Sequence, residues 1–168
     1  MKTNTFSLIL VSLLTSFAFL QPAQAVVPPP DGGYPKFNTA EGQNALFSLT
    51  TGAANTPVGW FSLKSATTGS FNTGVGAGTL LLNTGVENTA IGTAALLLNT
   101  ASGNTAIGSR ALLNNTTGGT VGKIQGLDFG PNVAVGSQAL ESNTVASANT
   151  AVGYQALREF YNRARGGW

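Results

Sequence analysis

A short repeat constrains this chain more than any other feature. Asn38, Asn55, Asn72, Asn88, Asn104, Asn132 and Asn149 open successive units, at spacings of 17, 17, 16, 16, 28 and 17 residues. Each unit reads approximately Asn-Thr-Ala-Val/Ile-Gly-x-x-Ala-Leu-x-x-Asn-Thr-Thr-Gly-x. A unit this short has no core of its own and buries its apolar edge only against its neighbours, so the period predicts a stacked solenoid. A helix pair per repeat needs more than about 30 residues, which excludes the helical repeat architectures. The expected fold is all-β: a β-solenoid or β-roll of about seven 16–17-residue coils, oligomeric.

The columns of the repeat carry the detail. The ninth position is Leu throughout: Leu46, Leu63, Leu80, Leu96, Leu112, Leu140 and Leu157. The fourth is Val58, Val75, Ile91, Ile107, Val135 and Val152, with Glu41 in the first unit. These two columns are the expected core ladder. The fifth position is always Gly, from Gly42 to Gly153, as a forbidden backbone angle or a very close neighbour would require. Ala dominates the third and eighth positions, as at Ala90 and Ala95, where small side chains let two walls approach. Thr-Gly pairs and Asn83, Asn99, Asn115 and Asn143 read as corners with positive φ. Stacked Asn side chains can also bond along the axis. Thr-Ala-Ile-Gly favours a short strand, whereas Ala-Leu-Leu-Leu fits a strand or a helical turn equally. The strict Gly and Leu columns argue against a flexible low-complexity fibre.

Around the repeats, residues 1–25 have the grammar of a signal peptide: Lys2, an apolar run from Phe6 to Leu20, and Ala23-Gln24-Ala25 as a cleavage site. That run is shorter than the roughly 20 residues of a spanning helix, and no second run follows. The mature chain is thus expected to be secreted, extracellular or at the cell surface, without an integral membrane segment. Residues 26–37 form a Pro/Gly-rich N-terminal segment, 38–157 the repeat solenoid with an inserted loop at 120–131, and 158–168 an aromatic and basic C-terminal cap.

The composition excludes much chemistry. With no His and no Cys, the commonest general base, thiol nucleophile and metal ligands are missing. The six carboxylates are scattered over different units without a calcium-loop pattern. Gly74-Val75-Gly76 belongs to the repeat and lacks the strand-to-helix context of a nucleotide site. No enzyme activity, cofactor or metal is expected. Nor is a nucleic-acid partner, because seven Lys and Arg after Lys2 face six Asp and Glu and make no basic stripe.

Units such as Asn104-Thr105-Ala106-Ile107-Gly108-Ser109-Arg110-Ala111-Leu112 and Asn149-Thr150-Ala151-Val152-Gly153-Tyr154-Gln155-Ala156-Leu157 resemble the NTAVGxxAL repeats of secreted bacterial surface and tail-fibre-like proteins. More distantly they are similar to the heads of trimeric autotransporter adhesins, which are trimeric left-handed β-rolls. The Pro-Pro-Pro-Asp-Gly-Gly-Tyr-Pro stretch before the repeats is similar to the start of secreted repeat proteins. The resemblance implies an architecture and says little of activity.

The functional expectation is a non-catalytic extracellular structural protein, a subunit of a self-assembling surface fibre or matrix. A slender column gains from partners, and Leu81, Leu82, Leu97, Leu98 and Leu113 lie outside the two core columns, available to a fibre or trimer. Candidate subunit contacts are Tyr34 before the repeats, Leu127 and Phe129 in the inserted loop, and Phe160, Tyr161 and Trp168 in the cap. The alternative is an adhesin or binding module for surface polysaccharide or ice, working through a repeated Thr/Asn face. Function is sought at the ends, the loop and the outer face, and no pocket is expected.

Overall fold

The computed structural model describes residues 34–117, 122–124 and 127–159. The expected signal peptide, residues 26–33 of the N-terminal segment and the tail beyond residue 159 lie outside them. Eight three-residue strands follow a 3-10 turn at Pro35–Phe37: β1 (Thr56–Val58), β2 (Thr73–Val75), β3 (Thr89–Ile91), β4 (Thr105–Ile107), β5 (Gly122–Ile124), β6 (Leu127–Phe129), β7 (Val133–Val135) and β8 (Thr150–Val152). β1, β2, β3, β4, β7 and β8 form one parallel sheet in that order, which makes the chain an all-β solenoid. The register sets like upon like: Thr73 on Thr89, Gly74 on Ala90, Val75 on Ile91. Unit one joins through Glu41, whose N–H donates to the Pro57 carbonyl at 3.0 Å.

Each strand of the six-stranded sheet ends at the invariant glycine, and two physical demands meet there. Gly92 has φ +120°, and a Cβ built on it would stand 2.7 Å from the carbonyl carbon of Gly108 in the next unit. The chain then passes through two tight turns, with Ala95 N–H donating to Gly92 O at 3.2 Å and Asn99 N–H to Leu96 O at 3.3 Å. This second wall is also bonded along the stack, as in Leu96 N–H to Ala111 O at 3.1 Å and Leu98 N–H to Leu113 O at 3.1 Å. Ala-Leu-Leu-Leu is therefore neither a regular strand nor a helical turn.

The left-handed residues are not the expected asparagines. The whole Leu column is left-handed, for example Leu96 at φ 51° and Leu140 at φ 51°, and Asn83, Asn99, Asn115 and Asn143 are not. A left-handed bulky residue costs on the order of 1–2 kcal/mol. Here complete burial of the side chain and the bond to the next unit hold each internal Leu in place.

The core is made of Leu, Ala and Asn. Leu46, Leu63, Leu80, Leu96, Leu112 and Leu140 are buried, as are Ala90, Ala95, Ala106, Ala111, Ala134 and Ala139. The other half of the expected ladder is overturned. Val58, Val75, Ile91 and Ile107 are exposed, Val135 is half-buried, and Val152 is 71% exposed. Strand alternation is the reason. Asn at the first position and Ala at the third point inward, so Thr at the second and Val or Ile at the fourth must point outward. Leu157 also leaves the core, at 46% exposure, because no described unit follows to cover it.

β5 and β6 form an antiparallel hairpin, with Lys123 opposite Asp128 and Ile124 opposite Leu127. It interrupts the sequence without interrupting the stack, since β4 pairs directly with β7 and Ala106 lies on Ala134.

Candidate functional site

The outer surface of the six-stranded sheet is the most regular feature of the molecule. Its strands show the pattern half-buried, buried, exposed from β1 to β4, so Thr and Val or Ile form two parallel outward columns. β7 places Val133 in the Thr column, and β8 restores it with Thr150. The anticipated Thr/Asn face is thus a Thr/Val face, and its asparagines lie inside.

Those asparagines build a spine. In each step the Asn Oδ1 accepts the backbone N–H of the next unit's Asn, as in Asn72 Oδ1 from Asn88 N at 3.0 Å and Asn88 Oδ1 from Asn104 N at 2.9 Å. A second spine links Asn83, Asn99, Asn115 and Asn143 through Nδ2 to Oδ1 bonds of 2.7, 2.9 and 2.7 Å. It replaces Leu49 and Ala66 of the first two units, and its last described member is Asn143, whose buried Oδ1 has no hydrogen-bond partner among the described residues. Fully bonded amides satisfy in the interior the polarity that would otherwise be costly there.

Two local clusters break the uniformity. Glu141, nearly buried, lies between Arg110 Nη2 at 2.5 Å and Arg158 Nε at 2.8 Å. The Arg110 contact lacks hydrogen-bond geometry and is ionic. The hydrogen bond from Arg158 raises that guanidinium further above its usual value. Toward the other end, the Trp60 and Phe61 rings lie 4.1 Å apart between centroids, and Lys64 Nζ sits 4.2 Å from the Phe61 ring. Sequence reasoning missed this cluster, although Trp60-Phe61 is the only aromatic pair at the sixth and seventh positions of any unit.

Tyr34 bridges to Asn38 and packs on the first unit's core. With Pro35, Ala40, Ala45, Leu46 and Leu49 it lines an apolar hollow of ≈ 240 Å³ beneath that unit. A hollow was not expected from the sequence; Lys36, Asn38, Thr50 and Gly52 complete its lining, which includes no carboxylate. Leu127 and Phe129 lie in β6, away from the six-stranded sheet. Phe160, Tyr161 and Trp168 fall outside the described residues. Among the described residues no group of His, Cys, Asp and Glu could hold a metal ion. No helix among them is long and apolar enough to cross a membrane.

Comparison with family models, with curated proteins and with solved structures finds no match to this chain. The site is therefore read from its own chemistry.

Proposed function

We propose that the chain is a secreted, non-catalytic structural protein whose solenoids join head to tail into a fibre or matrix. The observation that carries this reading is the matched set of backbone groups left at the two ends of the described stack. Within the stack, the Thr N–H donates forward to the next Asn carbonyl, as from Thr89 to Asn104 at 2.9 Å, while the Gly N–H donates back, as from Gly108 to Ile91 at 2.7 Å. Among the described residues nothing follows unit seven to accept from Thr150 N–H or Leu157 N–H, or to donate to the Val152 carbonyl. Among the described residues none accepts from Gly42 N–H at the first unit's open side.

Gly42 N–H and the Val152 carbonyl match as donor and acceptor, while the Asn38 carbonyl that Thr150 N–H would meet already accepts from Tyr34 N–H at 3.3 Å and would take Thr150 on its second lone pair. An open parallel edge is a ready template for another chain, and a heterologous contact repeated without closure builds a filament. Apolar surface supports the same reading, because the last unit exposes Val152, Tyr154 and Leu157 and the first carries the apolar hollow.

Negative-stain electron microscopy of protein purified from the medium of expressing cells tests this. Filaments one solenoid wide are expected, and T150P should abolish them by removing the forward donor while leaving the far-ultraviolet spectrum intact. Particles of single-chain size at every concentration, or filaments indifferent to T150P, would overturn the proposal.

A further inference from the structure

The sheet face carries a chemistry that head-to-tail joining does not use. On β1 to β4 and on β8, the outward Thr hydroxyls have no protein partner among the described residues. This is not true of all threonines: Thr50 Oγ1 bonds to Thr67 O at 2.9 Å, Thr116 Oγ1 bonds to Thr144 O at 3.0 Å, and Thr100 Oγ1 bonds to Thr116 O. The strand hydroxyls are thus free and held at the inter-strand pitch of about 4.8 Å. A column of Val and Ile methyl groups runs beside them, two residues along each strand, at about 6.7 Å.

Every outward residue of the six strands is β-branched, from Thr56 and Val58 to Thr150 and Val152. Two heavy atoms on Cβ leave little χ1 freedom. The grid is therefore pre-organised, and little side-chain entropy is lost when something rests on it. No strand residue on this face is charged.

These properties narrow the occupant. Five strand spacings by three residues give an area on the order of 200–300 Å², well short of the roughly 800 Å² per partner that a stable protein interface buries. A second copy laid side by side is not supported by this face alone. An anionic ligand finds no counter-charge on the six strands, and a cationic one finds only the single carboxylate of Glu41, in register with Val58 at the first-unit edge. A single sugar chain finds no aromatic ring on the six strands to stack on, since Trp60, Phe61, Phe71 and Tyr154 all lie outside them. What remains is a partner that is itself a neutral, two-dimensional array of hydroxyl-like donors and acceptors. We infer that the Thr/Val face of the sheet binds ice: the free hydroxyls occupy positions of the water lattice, and the flanking methyl groups order the water between them.

The inference stands whether or not chains join end to end. Its test is partition of the purified full chain into slowly growing ice, with inhibition of ice recrystallisation as a second readout. The chain should enter the ice. T89Y, which breaks the flat grid at its centre, should lower that partition by about tenfold or more, and T93Y, just beyond the same strand, should stay within about twofold. Unchanged far-ultraviolet spectra establish that both variants are folded. Exclusion of the natural chain from ice would overturn the inference, as would equal behaviour of the two variants. Binding to crystalline cellulose or chitin that T89Y abolishes, without entry into ice, would assign the face to polysaccharide and contradict it as well.

Discussion

Leu96 and Ile91 stand five residues apart in one repeat and are equally apolar by composition, yet the fold treats them oppositely. Leu96 is fully buried in the stack, and Ile91 is 39% exposed on the sheet face. L96A should cost about 2–5 kcal/mol through lost burial and a cavity. I91A should cost about 1 kcal/mol or less, because solvent already reaches its side chain. Urea unfolding of both variants at one protein concentration checks this, and equal losses would refute the assignment of inside and outside. The Leu and Gly columns were legible in the sequence because each answers a demand repeated at every step: a core position for Leu96, and a carbonyl close by for Gly92. The Val and Ile column was misread because apolarity was allowed to decide burial. Asn88 and Ala90 carried the correction in the sequence itself, since placing both inside fixes Thr89 and Ile91 outside by alternation. No such signal announced the left-handed leucines, whose conformation is imposed by bonds between units.

At the scale of elements, the spacing of 28 residues between Asn104 and Asn132 disguised a continuous stack. The structure puts the surplus into the β5–β6 hairpin and keeps Thr105 paired with Val133. Deleting residues 118–129 should therefore leave the solenoid standing. It reduces the spacing to 28 − 12 = 16 residues, the period of units three and four, and keeps Gly130, whose carbonyl accepts Ala148 N–H at 2.9 Å. The thermal midpoint should stay within about 4 °C of the parent, equivalent to less than about 1 kcal/mol. Collapse of the far-ultraviolet spectrum on deletion would mean that the hairpin holds the two halves together. The hairpin's own pairing was beyond sequence reasoning, because a single stretch in one unit offers no column to compare.

The described stack is one short unit multiplied, and each unit finishes the bonding of its neighbour. The two asparagine spines, the glycine column and the parallel sheet all run along the axis, so growth along that axis is the direction in which the same contacts recur. The sequence indicated assembly through the poverty of a slender core, but it left sideways trimers and axial fibres equally open. The described ends favour the axial arrangement, through the forward donor of Thr150 and the backward donor of Gly42. Fibre diffraction from aligned assemblies of the purified chain tests this most directly. Head-to-tail solenoids place every strand across the fibre, so a reflection near 4.8 Å should lie along the fibre axis. An equatorial reflection at that spacing, from strands stacked sideways, or a preparation that never forms oriented fibres would contradict it.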